Sequence, residues 1–333
     1  MKTRGDAGRP RLLVARTDSA AGLVCTLPLL RTLRDAHPSA WIGLLTTPAL
    51  APLLARHPDL SEPPLTPAAG VGAGLRTAFA LRARRLDDVL LADADPPRAL
   101  AALARRAGAA RVLTGDGDAG APRAHESERV VALGAALGVS GQMPAARLYP
   151  DSGDLMHFRA ALAARSRDLQ RPLVGVHLGE ECDPERWPAD RYAALLRRRY
   201  EHNGSGFVLL WRPSGRPESD PQGDDAIARE VHTRLVGVPC LRWPVATYPA
   251  LVAALSECDS VIAPATDVPL LAAAVGRPVA ALWGAADAQR WRPLGVPYEL
   301  ARAPAGTLAA VTVDQAFAAC EVLATRVSLL AAG

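Results

Sequence analysis

The stretch Leu251–Gly295 holds a polar loop between apolar elements that could receive a phosphate. An apolar helix leads into a strand over Ser260–Ala263, and a second helix opens near Val268 and runs to Val275. Gly276-Arg277-Pro278 ends that helix, and a further strand, Val279–Trp283, runs into Gly284. Unpaired N–H groups and the dipole at a helix start favour an anion. Thr266 sits where that helix start would meet phosphate oxygens, and it reads equally as a cap; both can hold together. Asp267 beside it reads as a cap. The chain has one lysine, Lys2, so any phosphate clamp in its body must be arginine, which suits bidentate contacts. Arg186 and Arg212 are the candidates, and Arg212 directly follows the run FVLLW, at a strand's carboxyl end. His177 closes the run PLVGVH and reads as a cleft-facing group or as a satisfied half-buried histidine. Arg16, just past RLLVA, reads as a phosphate or carboxylate contact or as a surface ion pair. Ser19 adds a hydroxyl to the same loop.

These residues need a scaffold of alternating strands and helices. Residues 11–15 read as a buried strand, followed by a small-residue loop over 16–23 and a helix from Val24 to Ala36 with Pro28 near its start. Strands are expected at 41–46, 88–92 and 111–114, and helices at 50–55, 98–107 and 127–137. The turn Tyr149–Gly153 and a helix over Leu155–Asp168 read as a linker and entry helix. Beyond them come strands at 172–177 and 207–211, helices at 189–200 and 225–236, and an amphipathic helix at about 313–330 that packs on one domain or bridges back to the first. The alternation implies α/β architecture with two doubly wound parallel sheets, and ligands bind such sheets at the carboxyl ends of their strands. The expected division is 9–150 for the first domain, 151–171 for the linker, 172–312 for the second domain and 313–333 for the last helix.

The 333 residues are 49% hydrophobic and 5% aromatic, enough apolar material for two cores built from Ala, Leu and Val. The formal net charge of +4 is mild and dispersed, so nucleic acid is not expected as a partner, whereas an anionic ligand or membrane surface is compatible. Five cysteines without a Cys-x-x-Cys pair argue against a zinc finger, a redox motif or a disulfide framework. No metal-ligand spacing or Gly-x-Ser-x-Gly motif is present, and Gly-x-Gly-x-x-Gly is absent from the first strand–helix turn, so neither a metal nor a cofactor is expected. The absence of a long apolar run or signal-peptide core points to a cytoplasmic protein, at most peripheral to the inner membrane.

Four blocks carry a family resemblance: RLLVARTDSAAGLVCTLPLLRTLRDAHPSAWIGLLT (11–46), HESERVVALGAALGV (125–139), PLVGVHLGEECDPERWPADRYAALLRR (172–198), and the opening stretch with its ending LWGAADAQRWRPLG. In this order they resemble glycosyltransferase family 9, the ADP-heptose:lipopolysaccharide heptosyltransferases. The resemblance implies a GT-B fold of two Rossmann-like domains facing a cleft. It implies an ADP-heptose donor on the C-terminal domain and a lipopolysaccharide-core or other glycan or glycolipid acceptor on the N-terminal domain. The family's first loop ends Gly-Asp, that Asp being its candidate general base; alignment on Thr26-Leu27-Pro28 puts Ala21 and Gly22 there. Asp18, four residues earlier, could supply the missing carboxylate, or it caps the loop. The family's Lys-Arg-Trp-Pro is Glu185-Arg186-Trp187-Pro188 here, and its Asp-(Ser/Thr)-Gly-x-x-His spans Ala265–Leu270 with the Asp and His replaced. Glu218 lies where the family places a ribose-binding Glu, and reads otherwise as a solvated loop acid. His125 and Arg129 read as acceptor contacts or as parts of a helix start. Trp187, Trp283 and Trp291 read as packing residues, one of them a possible adenine wall.

The resulting expectation is an inverting transfer of a sugar, heptose foremost, from a nucleotide-sugar donor to a cell-envelope glycan. The alternative is a member that keeps the fold but not the chemistry and acts as a binding or scaffold protein. A nucleotide-sugar epimerase of similar shape ranks third.

Overall fold

The run Leu12–Ala15 is buried at every position, as a strand covered on both faces requires. In the computed structural model, which describes residues 9–70, 72–114, 124–139, 141–165, 169–179, 186–213, 224–303 and 306–332, this run is the central strand of the first of two units, Met1–Ala146 and Arg147–Gly333. The first unit runs β1 (Arg11–Ala15), α1 (Ala20–Ala36), β2 (Trp41–Leu45), α2 (Ala73–Arg82), β3 (Asp88–Leu91), α3 (Arg98–Arg106), β4 (Arg111–Thr114) and α4 (Glu126–Ala132). Its four strands are all parallel in the order β2-β1-β3-β4. The chain leaves β1 toward β2 on one side and returns to β3 on the other, so the carboxyl ends of β1 and β3 flank the switch point of the sheet.

α1 starts at Ala20, four residues ahead of the expected Val24, because Ser19 supplies the cap: its hydroxyl accepts from the Gly22 N–H at 3.0 Å. Pro28 therefore lies inside the helix and not near its start. It forfeits one ladder bond, and tertiary packing holds the helix across it, since every residue from Ala20 to Leu30 is buried. The expected helix at 50–55 is a 3₁₀ turn, Ala51–Leu54, and the one at 127–137 divides into α4 and a 3₁₀ turn over Leu133–Leu137.

The second unit runs α5 (Ser152–Ala164), β5 (Leu173–His177), α6 (Ala189–Asn203), β6 (Gly206–Trp211), α7 (Asp224–Arg234), β7 (Cys240–Pro244), α8 (Tyr248–Glu257), β8 (Ser260–Pro264), α9 (Val268–Ala274), β9 (Val279–Trp283), α10 (Ala288–Trp291), β10 (Tyr298–Arg302) and α11 (Val313–Ala332). Its six parallel strands are ordered β10-β9-β8-β5-β6-β7, with the switch point between β5 and β8. Asp151 caps α5 through the Gly153 and Asp154 N–H groups, and α5 packs on α8. α11 packs on α6, β9 and β10, fixed by ion pairs Arg199–Glu321 and Arg326–Glu299. A core including Val176, Trp187, Leu195, Phe207, Leu209, Val231 and Leu323 joins the sheet to α6, α7 and α11. Four of these elements were not expected from the sequence: β7, β10, α2 and the short α10. β7 and β10 are edge strands with polar residues in their runs, and α2 follows glycines at 70 and 72 and carries a third, Gly74, in its first turn.

Candidate active site

Each switch point gathers polar side chains in its own unit. In the first, Arg16 is the residue after β1 and has no exposed surface. Its Nε donates to Asp18 Oδ1 at 2.7 Å, and Nη1 donates to Glu126 Oε1 at 2.9 Å and to the Ala92 carbonyl at the end of β3. The surface ion pair considered for Arg16 is thus a buried one that joins the β1 loop, the β3 loop and α4. Burial is tolerable because the charge is matched by two carboxylates. Nη2 is buried with no hydrogen-bond partner among the described residues.

Asp18 keeps 31% of its side chain exposed. Besides Arg16, its carboxylate accepts from the Ser19 N–H at 2.7 Å and the Ala94 N–H at 3.3 Å. It therefore ties the loop down and still presents a face to solvent. Gly22 explains how Arg16 and Asp18 fit: a Cβ at position 22 would lie within 2.5 Å of Arg16 Nη2, Arg16 Nε and Asp18 Oδ1. Ser19 is engaged as the α1 cap. His125 is buried and caps α4, its Nδ1 accepting from the Ser127 N–H at 3.1 Å while its own N–H donates to Glu128 Oε2 at 3.0 Å. That pair is a capping box, so of the two readings of His125 the geometry fits the helix start. Arg129 Nη1 stands 3.5 Å from Glu126 Oε2.

Two acids were not singled out from the sequence. Glu126 is buried between Arg16 and Arg129. Asp93 follows β3 and accepts from both the N–H and the hydroxyl of Thr17, the latter at 2.8 Å. Burial pushes the Asp93 carboxyl above the usual aspartate range, against the pull of the Thr17 bonds. An acid directly after the apolar run DVLLA was the available signal for Asp93. A pocket of about 630 Å³ opens here, lined by Asp93, Thr114, Glu126, Arg129 and Leu133.

In the second unit, His177 ends β5 and is buried. Burial, with the Arg186 charge adding to it, lowers its pKa to about 4. Its Nδ1 accepts from the Gly179 N–H at 3.3 Å, so the neutral ring carries its proton on Nε2. Gly179 has φ +87°, and a Cβ there would stand 3.6 Å from Pro264 Cγ and 4.0 Å from the Arg186 side chain. The β5 loop, the end of β8 and Arg186 therefore lie together. Arg186 pairs with Asp224 at the start of α7, and its Nε is buried with no hydrogen-bond partner among the described residues. Arg212 is exposed, its guanidinium 5.6 Å from the centroid of the Tyr248 ring. The Tyr248 hydroxyl donates to Asp267 Oδ2 at 3.1 Å.

Thr266 Oγ1 accepts from the Val268 N–H at 3.3 Å at the start of α9. Asp267 makes no side-chain cap, which corrects the expectation for it: the threonine takes the helix N–H and the aspartate turns to Tyr248. Trp187 is fully buried, its indole N–H donating to the Val311 carbonyl at 2.8 Å and its ring T-shaped against Tyr192 with the centroids 4.7 Å apart. Trp283 is also buried, whereas Arg290 stacks over Trp291. Glu218 and Glu185 lie outside the described residues. Among the described residues no cluster of three or more His, Cys, Asp or Glu could hold a metal, and no helix is long and apolar enough to cross a membrane.

Comparison with known proteins bears on both units. Residues 121–316, more than half of the chain, match the model of glycosyltransferase family 9 (heptosyltransferase). No curated protein sequence matches. Among solved structures, the family 9 glycosyl transferase from Veillonella parvula superposes with a TM-score of 0.81 at 16% identity, covering 96% of this chain and 98% of that one. The E. coli ADP-heptose lipopolysaccharide heptosyltransferase II gives 0.74 at 19% identity over 96% and 99% of the two chains. The E. coli heptosyltransferase WaaC with ADP gives 0.69 at 18% identity over 94% and 99%. These likenesses establish a GT-B fold of two Rossmann-like units. With the family model matching both sides of the junction between them, the chain belongs to glycosyltransferase family 9, the heptosyltransferases.

Proposed function

We propose that the protein transfers a heptose-like sugar from an ADP-sugar to a lipopolysaccharide-core or other cell-envelope glycan, with inversion, and that Asp18 is the general base. One observation carries this reading: the Asp18 carboxylate stands, together with the Arg16 guanidinium, where a side chain at position 22 would enter, with Oδ1 2.5 Å from the Cβ point of Gly22. The family's first loop carries its carboxylate at this aligned position. A carboxylate from position 18 thus reaches the same ground, and its exposed face leaves room for an acceptor hydroxyl.

In a single displacement, the acceptor hydroxyl gives its proton to Asp18 as its oxygen bonds to the anomeric carbon. The bond from that carbon to the donor phosphate breaks, and its electron pair leaves with the nucleoside diphosphate. The exposed guanidinium of Arg212, with the Thr266 hydroxyl at the start of α9, would stabilise that departing charge. Arg186, held by Asp224, and the neutral His177 would shape the donor side, and Glu218 would face the ribose. Arg16 acts as a positioning residue for Asp18, while Ser19 and His125 hold the starts of α1 and α4 on the acceptor side.

Calorimetric titration with ADP-, UDP- and GDP-sugars, followed by a transfer assay, tests this. ADP-sugar binding is expected, and Asp18→Asn should lower kcat by about 10²- to 10⁴-fold, the usual contribution of a positioned base. Binding without turnover in the parent chain, or unchanged turnover in Asp18→Asn, removes Asp18 as base. No nucleotide binding at all would leave a family member that keeps the fold without the chemistry.

A further inference from the structure

Two large apolar side chains stand mostly in solvent one turn apart on α2: Leu75 is 59% exposed and Phe79 is 71% exposed. The opposite face of the helix, Thr77, Ala78 and Leu81, is buried. Arg82 is also exposed and continues the outer face, three residues after Phe79 and seven after Leu75. Arg76 flanks the same face. From Pro63 to Leu86 the chain has four arginines and no acidic residue; Arg84 pairs with Glu62 just before this run, and Arg76 donates to the Ala69 carbonyl. α3, which packs on α2, adds three more exposed arginines and again no acid.

Arg85 is a separate observation. It is the one described non-glycine residue with positive φ, at 50°, just past the end of α2, where glycine would fit without strain. Its side chain is exposed. A cation is thus carried at a backbone position that disfavours it.

We infer that the outer face of α2 docks on an anionic phospholipid bilayer, with Leu75 and Phe79 entering the headgroup region and the arginines of α2 and α3 against lipid phosphates. Charge complementarity selects this occupant. A protein partner of ordinary affinity covers about 800 Å² per side with few charges at its core. Two apolar side chains ringed by same-sign charge match that poorly and match an interfacial helix well. Among the described residues no helix is long and apolar enough to span a bilayer, so attachment through them has to lie in the interface plane. The inference goes beyond sugar transfer and does not depend on it.

Co-sedimentation of the full chain with vesicles of phosphatidylcholine, with and without phosphatidylglycerol, tests the docking. Binding should require phosphatidylglycerol and weaken with added salt. Arg82→Gln should weaken it about 5-fold, the equivalent of about 1 kcal/mol for one basic side chain at an anionic surface. Leu75→Ser/Phe79→Ser should weaken it further. Arg85→Gly is the sharpest variant: binding should fall while the melting temperature stays level or rises, since glycine relieves the positive φ. Equal binding to both vesicle types, no binding to either, or variants that bind as the parent would overturn the inference. So would a dimer that Phe79→Ser splits with vesicle binding untouched, which would assign the face to a second copy of the chain.

Discussion

Gly22→Ala isolates the packing that holds the first-unit site together. The added Cβ meets the Arg16 guanidinium and Asp18 Oδ1 at 2.5 Å or less, and ordinary contact begins at 3.4 Å, so something must move by about 1 Å. Neither side can yield easily. Arg16 is wholly buried and tied to Asp18, Glu126 and the Ala92 carbonyl, and α1 is buried throughout this turn. Overpacking of this kind costs about 1–3 kcal/mol. Driving Arg16 off Glu126 would break a buried ion pair and leave that carboxylate only Arg129, 3.5 Å away, for about 3–5 kcal/mol. Alanine in place of glycine in a helix interior returns about 1 kcal/mol. The steric term wins, and a net loss of about 2–4 kcal/mol is expected. Gly74→Ala in α2 of the same unit is the control: nothing lies within 4 Å of its Cβ point, so it should gain about 0.5–1 kcal/mol. Urea unfolding followed by circular dichroism gives both values from the same transition. A Gly22→Ala protein as stable as the parent would refute the claim that position 22 is closed by Arg16 and Asp18.

Acid should destabilise the second unit through His177. The unfolded chain takes up a proton from pH 6.5 downward that the folded chain refuses until about pH 4, so stability is intact above pH 6.5 and falls by about 3 kcal/mol on the way down. Denaturation midpoints at pH 7 and pH 4.5 should therefore drop more in the parent than in His177→Gln. Burial raises the thiols of Cys25 and Cys320 to about 11 and those of Cys240 and Cys258 to about 12, so none of these four should react with a thiol reagent at pH 8 until the chain unfolds. Trp187→Ala should cost about 3–5 kcal/mol, since it empties a fully buried site and removes one of the two hydrogen bonds to the Val311 carbonyl, the other coming from Arg191. Thermal melts would show it, and a shift no larger than that of a surface variant would contradict the packing role.

Apart from the edge strand β4, the strands that were legible in the sequence are rich in buried residues, because a run such as RLLVA or FVLLW has no other use in a chain this size. β7 and β10 escaped for the opposite reason: at a sheet edge CLRWP and YELAR need bury only part of their surface, so no apolar run marks them. Asp18, Ser19 and Thr266 were legible as loop residues because each follows an apolar run and precedes a helix. Glu126 was not, since its partner Arg16 lies 110 residues away and long-range pairing leaves no local trace. The same separation disguised Arg16 as a surface residue, and Asp93 became visible as part of the site only when β3 paired with β1 across 76 residues.

The central place of β1 also bears on how the protein is made. It is the first strand of its sheet to leave the ribosome, and β2 and β3 both add to its sides, with β4 adding to β3. β5 holds the equivalent place in the second sheet, as the first of its strands to be synthesised, with β6 and β8 on either side. In both units each later strand finds its docking edge already synthesised, and none has to be threaded between two existing neighbours. The sheets can therefore grow outward in the order of translation, domain by domain, so that non-local parallel pairing, a slow step in refolding from denaturant, proceeds at the pace of elongation.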